Sequence, residues 1–257
     1  MSDTKEKLIE QAGGVLEKAY DDIAHPTAKS VGNTLSLVPR TVGVWLGKWE
    51  KWVINGEESI KLTAQAVHDK AMQIPEEKLS EPESYVAVPA IQQLSYCYDS
   101  EELREMYANL LVSSMNIDTK YNVHPSFVDI IKQLSPDEAK FLKHISKGNS
   151  YPLLGVNIKF SSGGHKTVVK NFTNIAYGVC DCPEAIFSYL DNLDRLKLIN
   201  IRSDKWFTNE LLYKSLEGHS YIQAIINVPI EDGQKYDFSK GMFELTNFGR
   251  DFIKVCL

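Results

Sequence analysis

The residues best equipped for chemistry in this chain are a few histidines, a pair of cysteines and a glycine turn beside lysines, and each has a plainer structural use. His124 stands directly before Pro125, where a helix should begin. A general base is one use for it, but capping or packing at the helix start is the expected one. His165 follows the turn at 161–164, and His25 sits at a helix end. Cys180 and Cys182 with His165 would supply three zinc ligands, yet structural zinc sites favour C-x2-C spacing and a fourth ligand, so metal is not expected. The run Gly163-Gly164-His165-Lys166-Thr167 superficially offers a phosphate loop. That motif, G-x-x-x-x-G-K-[ST], needs a glycine where Lys159 stands, and His165 separates Gly164 from Lys166. Glu101, Glu102, Arg104 and Glu105 form a charge run best read as the solvated face of a helix. No catalytic set, cofactor site or metal site is therefore expected, and an enzyme ranks behind two other classes of function.

Charge supplies the next candidate. The 257 residues carry a net charge of -6, with 43% hydrophobic and 24% charged residues, as in an ordinary globular protein. Residues 1–130 hold 12 Lys and Arg against 20 Asp and Glu, whereas residues 131–257 hold 16 against 14. Between 139 and 180 stand Lys140, Lys143, Lys147, Lys159, Lys166 and Lys170 and not one acid. These six are the candidate nucleic-acid surface, provided that they converge. The acidic first half opposes a polyanion, and only Phe141, expected in the core, breaks the run 140–147 with an aromatic ring.

The elements that would position these groups follow from periodicity. Residues 1–24 read as an amphipathic helix ended by His25-Pro26. Trp45, Trp49 and Trp52 fall at i, i+4 and i+7 on one helical face. They are the candidate partner surface, with a stripe packed against the following helices as the plainer alternative. A helix over 59–73 presents Ile60, Ala64, Val67 and Ala71 and is closed by Pro75. The charged stretch 76–83 reads as an exposed crossing, and Pro89 implies a helix start or a kink at Val88.

The densest signal lies at 85–142. Asp99 is the expected N-cap, with Glu102 at N3, for a helix whose apolar face is Leu103, Met106, Tyr107, Leu110, Leu111 and Ser114. Pro125 is expected at the first position of the next helix, with Phe127, Ile130, Ile131 and Leu134 inside. Ser135-Pro136-Asp137-Glu138 then starts another, with Ser135 as cap and Glu138 at N3. Beyond it, Val156, Ile158 and Phe160, a turn at 161–164 and the run 166–172 predict a β-hairpin. Asp181 caps a helix with Glu184 at N3 and Ile186, Leu190 and Leu193 inside, 196–201 reads as a strand, and F-E-L-T-N-F-G-R-D-F-I predicts a strand running into a terminal helix.

The runs V-A-V-P-A-I-Q-Q-L-S-Y, E-E-L-R-E-M-Y-A-N-L-L and V-H-P-S-F-V-D-I-I-K-Q-L-S-P-D-E-A resemble the bacterial abortive-infection alpha family, Abi-alpha. The resemblance extends from about Thr27 to Cys256 and is most specific at 86–139. It implies membership of an antiphage repertoire in which infected cells stop supporting phage growth, and it brings no catalytic residues with it.

The expected fold is mainly α (α+β), an N-terminal helical bundle at 1–134 followed by a winged-helix-like domain with a β-hairpin at 135–257. The candidate recognition helix carries Glu184, Asp191 and Asp194 against Arg195, which argues against a duplex reader. The expected function is a non-enzymatic interaction protein of an abortive-infection system that contacts a host or phage protein, or a second copy of itself. The alternative is a nucleic-acid-binding winged-helix protein. Four cysteines without a dense framework suit a reducing cytoplasm. Neither a signal peptide nor the ~18 to 20 consecutive apolar residues of a spanning helix is read in the sequence.

Overall fold

The computed structural model describes residues 58, 59 and 61–257. The helix expected at 1–24 and the stripe of Trp45, Trp49 and Trp52 lie outside the described residues. The chain forms two compact units, the first reaching Pro136 and including residues 254–257, the second running from Asp137 to Ile253.

In the first unit, helix α1 (61–71) buries Val67 and Ala71. Ser59, itself helical and buried, donates its hydroxyl to the Leu94 carbonyl at 2.6 Å. The crossing expected at 76–83 is more firmly held than its charge suggests. A turn of 3-10 helix at Glu76–Lys78 leads into Leu79, which bridges to Asn116. Backbone bonds Ser80 N to Met115 O (2.8 Å) and Ile117 N to Lys78 O (3.0 Å) fasten it on both sides.

Helix α2 (Ser84–Leu94) begins five residues before Pro89, so the proline lies inside a helix rather than at its start. The missing proline N–H is offset by Val86, Ala87, Ala90, Ile91 and Leu94, all buried. Helix α3 (Glu101–Met115) is capped by Ser100 and not by Asp99. The extended backbone at Ser100 brings its hydroxyl within 3.3 Å of the Leu103 amide, whereas Asp99 stands one residue too early. Of the expected face, Met106, Tyr107, Leu110, Leu111 and Ser114 are buried, while Leu103 in the first turn is only half-buried. Helix α4 (Ser126–Lys132) places Pro125 at its N-cap, one position before the expected one, and packs Phe127, Val128, Ile130 and Ile131 inward. The Tyr107 hydroxyl donates to the Val128 carbonyl at 3.1 Å, which satisfies a polar group at full burial.

The second unit takes helix α5 (Pro136–Ile145), strands β1 (Ser150–Phe160) and β2 (His165–Phe172), and helix α6 (Ile186–Arg195). Strand β3 (Ile199–Arg202), helices α7 (Glu210–Glu217) and α8 (Ser220–Ile226), strand β4 (Gln234–Leu245) and helix α9 (Asn247–Cys256), whose last three residues count with the first unit, follow. The four strands form one antiparallel sheet in the order β2-β1-β4-β3. Described as a whole, the chain is α+β.

Alternation at Val156, Ile158 and Phe160 captures only the outer end of β1, where burial falls from complete at Val156 to exposed at Phe160. Further in, residues 153–157 are all buried because both faces of the strand are covered. Leu154 and Val156 join Val169, Phe172, Tyr213, Leu216 and Ile222 in one apolar cluster. On the other face Tyr151 stacks on Phe243 at 5.2 Å, and Phe243 meets Phe141 of α5 at 6.1 Å. The turn between β1 and β2 uses Gly163 and Gly164 at φ 95° and 84°, where a side chain would be strained.

Two boundaries in this unit differ from those read in the sequence. Asp181 does not cap α6: a 3-10 turn at Pro183–Ala185 intervenes, and Ala185 holds the N-cap position without a side-chain bond. The strand expected at 196–201 starts at Ile199, because Leu196 closes α6 and Lys197 turns the chain at φ 59°. Residues 203–241 contain α7, α8 and the first part of β4. The last transition is as read, with the Thr246 hydroxyl accepting from the Gly249 amide at 2.8 Å to cap α9.

Candidate interaction surface beside strand β2

Strand β2 is an edge of the sheet, bonded to β1 on one side only. Its sequence, H-K-T-V-V-K-N-F, places Val169 and Phe172 three residues apart, yet both are buried. Strict alternation would put them on opposite faces. Register shifts between Leu154 and Asn157 and a left-handed Asn171 (φ 61°) restore both to the core. Asparagine tolerates that backbone better than most residues.

Phe172 then serves as the anchor of an aromatic cluster. Tyr221 stacks on it at 5.3 Å, with Phe187 at 6.4 Å and Tyr177 at 6.5 Å, and Phe187 lies 5.9 Å from Tyr221. Tyr221 is aimed locally: the His219 Nδ1 accepts from the Tyr221 amide at 3.3 Å, capping α8 and turning its first residues toward β2. The His219 ring also packs on Tyr177 at 4.4 Å and on Phe172 at 5.2 Å. Burial, with Glu184 and Tyr221 nearby, pushes the Tyr177 hydroxyl above its ordinary pKa.

Between β2, α6 and α8 lies an open hollow of about 340 Å³ lined by Val168, Val169, Lys170, Asn171, Phe187, Asp191 and Tyr221. Its lining is mixed: Val168, Val169, Phe187 and Tyr221 are apolar or aromatic, and Lys170, Asn171 and Asp191 are polar. A concave site that joins aromatic and aliphatic side chains to a few charged and polar groups is a common build of a recognition site. Phe187 and Tyr221 are 34 residues apart in sequence, and no periodicity links them.

A second polar cluster joins α5 to α6. Asp137 accepts from the amides of Asp181 (2.9 Å) and Cys182 (2.8 Å), and its Oδ2 lies 2.9 Å from the Tyr189 hydroxyl. Its Oδ1 is 3.6 Å from Lys140 Nζ. Burial alone would raise this carboxyl, but those donors and Lys140 hold it below its ordinary value. Asp137 thus holds the backbone of Asp181 and Cys182 just ahead of α6. Beside it, Glu138 accepts from Asn192 at 2.7 Å. Cys180 donates to the Asp137 carbonyl at 3.5 Å, and burial together with Asp137 pushes its thiol up to about 11.

The six lysines divide. Lys140 is ion-paired with Asp181 at 2.8 Å, and Lys159 with Asp237 at 2.9 Å. Lys143 and Lys147 are exposed at the end of α5 and in the turn after it, while Lys166 and Lys170 are exposed on β2. The run without an acid thus acquires acids from elsewhere in the chain at two of its six positions. His124 is a cap: its Nδ1 accepts from the Ser126 amide at 3.2 Å. His165 is exposed at the start of β2, opposite Lys159. Among the described residues no helix is long and apolar enough to cross a membrane.

Fold and surface define an α+β protein with an open sheet edge beside an aromatic hollow. The chain belongs to the abortive infection alpha family, whose model matches residues 55–256. That match starts some thirty residues later than the resemblance read from the sequence. No curated protein matches the chain. Among solved structures, the uncharacterized protein from the hydrocarbon-degrading marine bacterium Alcanivorax borkumensis SK2 is 24% identical, the match covering 50% of this chain and 90% of that one. Its TM-score of 0.32 does not equate the two folds.

Proposed function

We propose that the chain is a non-enzymatic interaction protein of a bacterial abortive-infection system, acting through protein-protein contacts. One observation carries this reading: Tyr221, Lys170 and Val168 are exposed around a hollow lined in part by packed aromatic rings. Aromatic residues set in partly apolar depressions are enriched where proteins meet. Family membership supplies the setting. Burial pushes both Cys97 and Cys180 up to about 11 and keeps these two thiols protonated near neutrality.

In this reading residues 1–134 form a helical module, with Trp45, Trp49 and Trp52 as a further partner surface. Residues 135–257 form a winged-helix-like module used for docking, supported by helix α6 followed by the antiparallel pair of β3 and β4. The nucleic-acid alternative rests on Lys143, Lys147, Lys166 and Lys170, because Lys140 and Lys159 already face acids. Co-purification from phage-infected cells, with and without nuclease, tests the proposal. A host or phage protein that stays bound after nuclease treatment is the expected result. Recovery of nucleic acid alone would overturn it.

A further inference from the structure

The hollow at β2 has the architecture of a strand-addition site, and we infer that its occupant is an extended, acidic segment of a partner protein that pairs with the outer edge of β2. This inference rests on the protein-interaction reading above and names the surface and the chemistry of the partner.

The argument begins with the backbone. As an edge strand, β2 has an outer row of amides and carbonyls, and no backbone bond leaves residues 165–172 on that side among the described residues. Such a row is a template for another strand. Here the edge is flanked by a wall: α6 contributes Phe187 and Asp191, α8 contributes Tyr221, and all three line the same hollow as residues 168–171 of β2. An extended peptide laid between an edge strand and a helix gains main-chain bonds from the strand and seats alternate side chains in the groove. One apolar side chain suits the aromatic pair of Phe187 and Tyr221.

Charge decides between occupants. Strand β2 carries His165, Lys166 and Lys170 and no acid. A second copy pairing antiparallel about Val168 would set Lys166 against Lys170 twice, and like charges directly opposite destabilise a sheet. A strand bearing Asp or Glu opposite those lysines meets opposite charge instead. Asp191, on the helix side, favours a neutral or basic residue at the position that crosses the hollow.

The test uses the full chain and a yeast-displayed library of random dodecamer peptides. Selected peptides are expected to be acidic, with apolar residues in alternation. Their binding should weaken by about tenfold or more in Lys166→Glu/Lys170→Glu, and the amides of 168–171 should gain protection from hydrogen exchange on binding. Both lysines are exposed, so this variant should keep its melting temperature; Tyr221→Ala gives a second, uncharged probe of the same groove. Four results would overturn the inference: no enriched peptides, basic peptides, protection elsewhere than β2, or salt-sensitive oligonucleotide binding lost in the same variant. Concentration-dependent dimerisation that protects β2 would assign the edge to a second copy and equally overturn it. If the partner from infected cells still co-purifies with the double variant, this surface fails while the broader function stands.

Discussion

The side-chain amide of Asn109, on α3, donates to the backbone carbonyl of Cys256 at 3.1 Å, a bond within the first unit that satisfies a carbonyl at the buried end of the last helix. The final carbonyls of a helix have no partner within it, and Ser113 takes the neighbouring one, Val255 O, at 3.0 Å. Asn109 is itself held by Lys70 Nζ, 2.6 Å from its Oδ1, and the same ammonium pairs with Glu105. Asn109→Ala should lower stability by about 1 to 2 kcal/mol, measured by urea unfolding. Glu105→Ala should cost less than ~1 kcal/mol, since that side chain is 46% exposed. Equal effects from the two would refute the ranking.

Leu110 and Leu111 lie on the buried face of α3, at 0% and 4% exposure. Leu110→Ala should destabilise by about 2 to 5 kcal/mol, because little room exists for the site to collapse. An unchanged melting temperature would remove α3 from the core.

Acid should act on the second unit through Asp137. The folded-state pKa is held below the unfolded value of 3.8, so the unfolded chain takes up the proton first as pH falls. The stabilisation is therefore fully present above about pH 4 and lost as pH drops through the lower, folded value. Asp137→Asn should remove most of this slope in acid-denaturation curves. It should also cost at least roughly 1.5 to 3 kcal/mol at pH 7, since an amide nitrogen replaces one acceptor of an N–H. A pH profile unchanged by the substitution would contradict the assignment.

Gly249 sits where α9 crosses the carbonyl of Leu198. A Cβ there would lie 2.0 Å from that oxygen, and backbone on both sides must give way. Gly249→Ala, favourable by helix propensity alone, should instead destabilise by ~1 to 3 kcal/mol or more. A gain in stability by thermal unfolding would show that the crossing is looser than this.

Thiol labelling should distinguish the four cysteines. Cys182 is exposed, Cys97 and Cys256 are buried, and the Cys180 thiol is pushed up to about 11. Iodoacetamide at pH 7.5 should modify Cys182 first, read by mass spectrometry of the intact chain and then of peptides. Faster modification of Cys180 would mean that its contact with Asp137 is not kept in solution.

By itself the sequence determined the elements whose information is local. Apolar spacing marks the inner faces of α3 and α4, and a glycine turn between β-branched runs marks the β1-β2 hairpin. Those signals are short in range, because helix and hairpin contacts join residues a few positions apart. The resemblance around 86–139 likewise led to the family. Boundaries moved by one or a few residues wherever a distant group intervened. Asp137, more than forty residues upstream, binds the amides of Asp181 and Cys182 and fixes the chain ahead of α6, where a 3-10 turn replaces the expected cap. Only the tertiary structure decided which lysines pair with acids, because Asp181 and Asp237 reach Lys140 and Lys159 from other elements. It alone made the hollow, since Lys170, Phe187 and Tyr221 share no period and meet only when β2 becomes an edge and α6 and α8 fold beside it. Convergence of that kind depends on chain topology, and no local propensity encodes it.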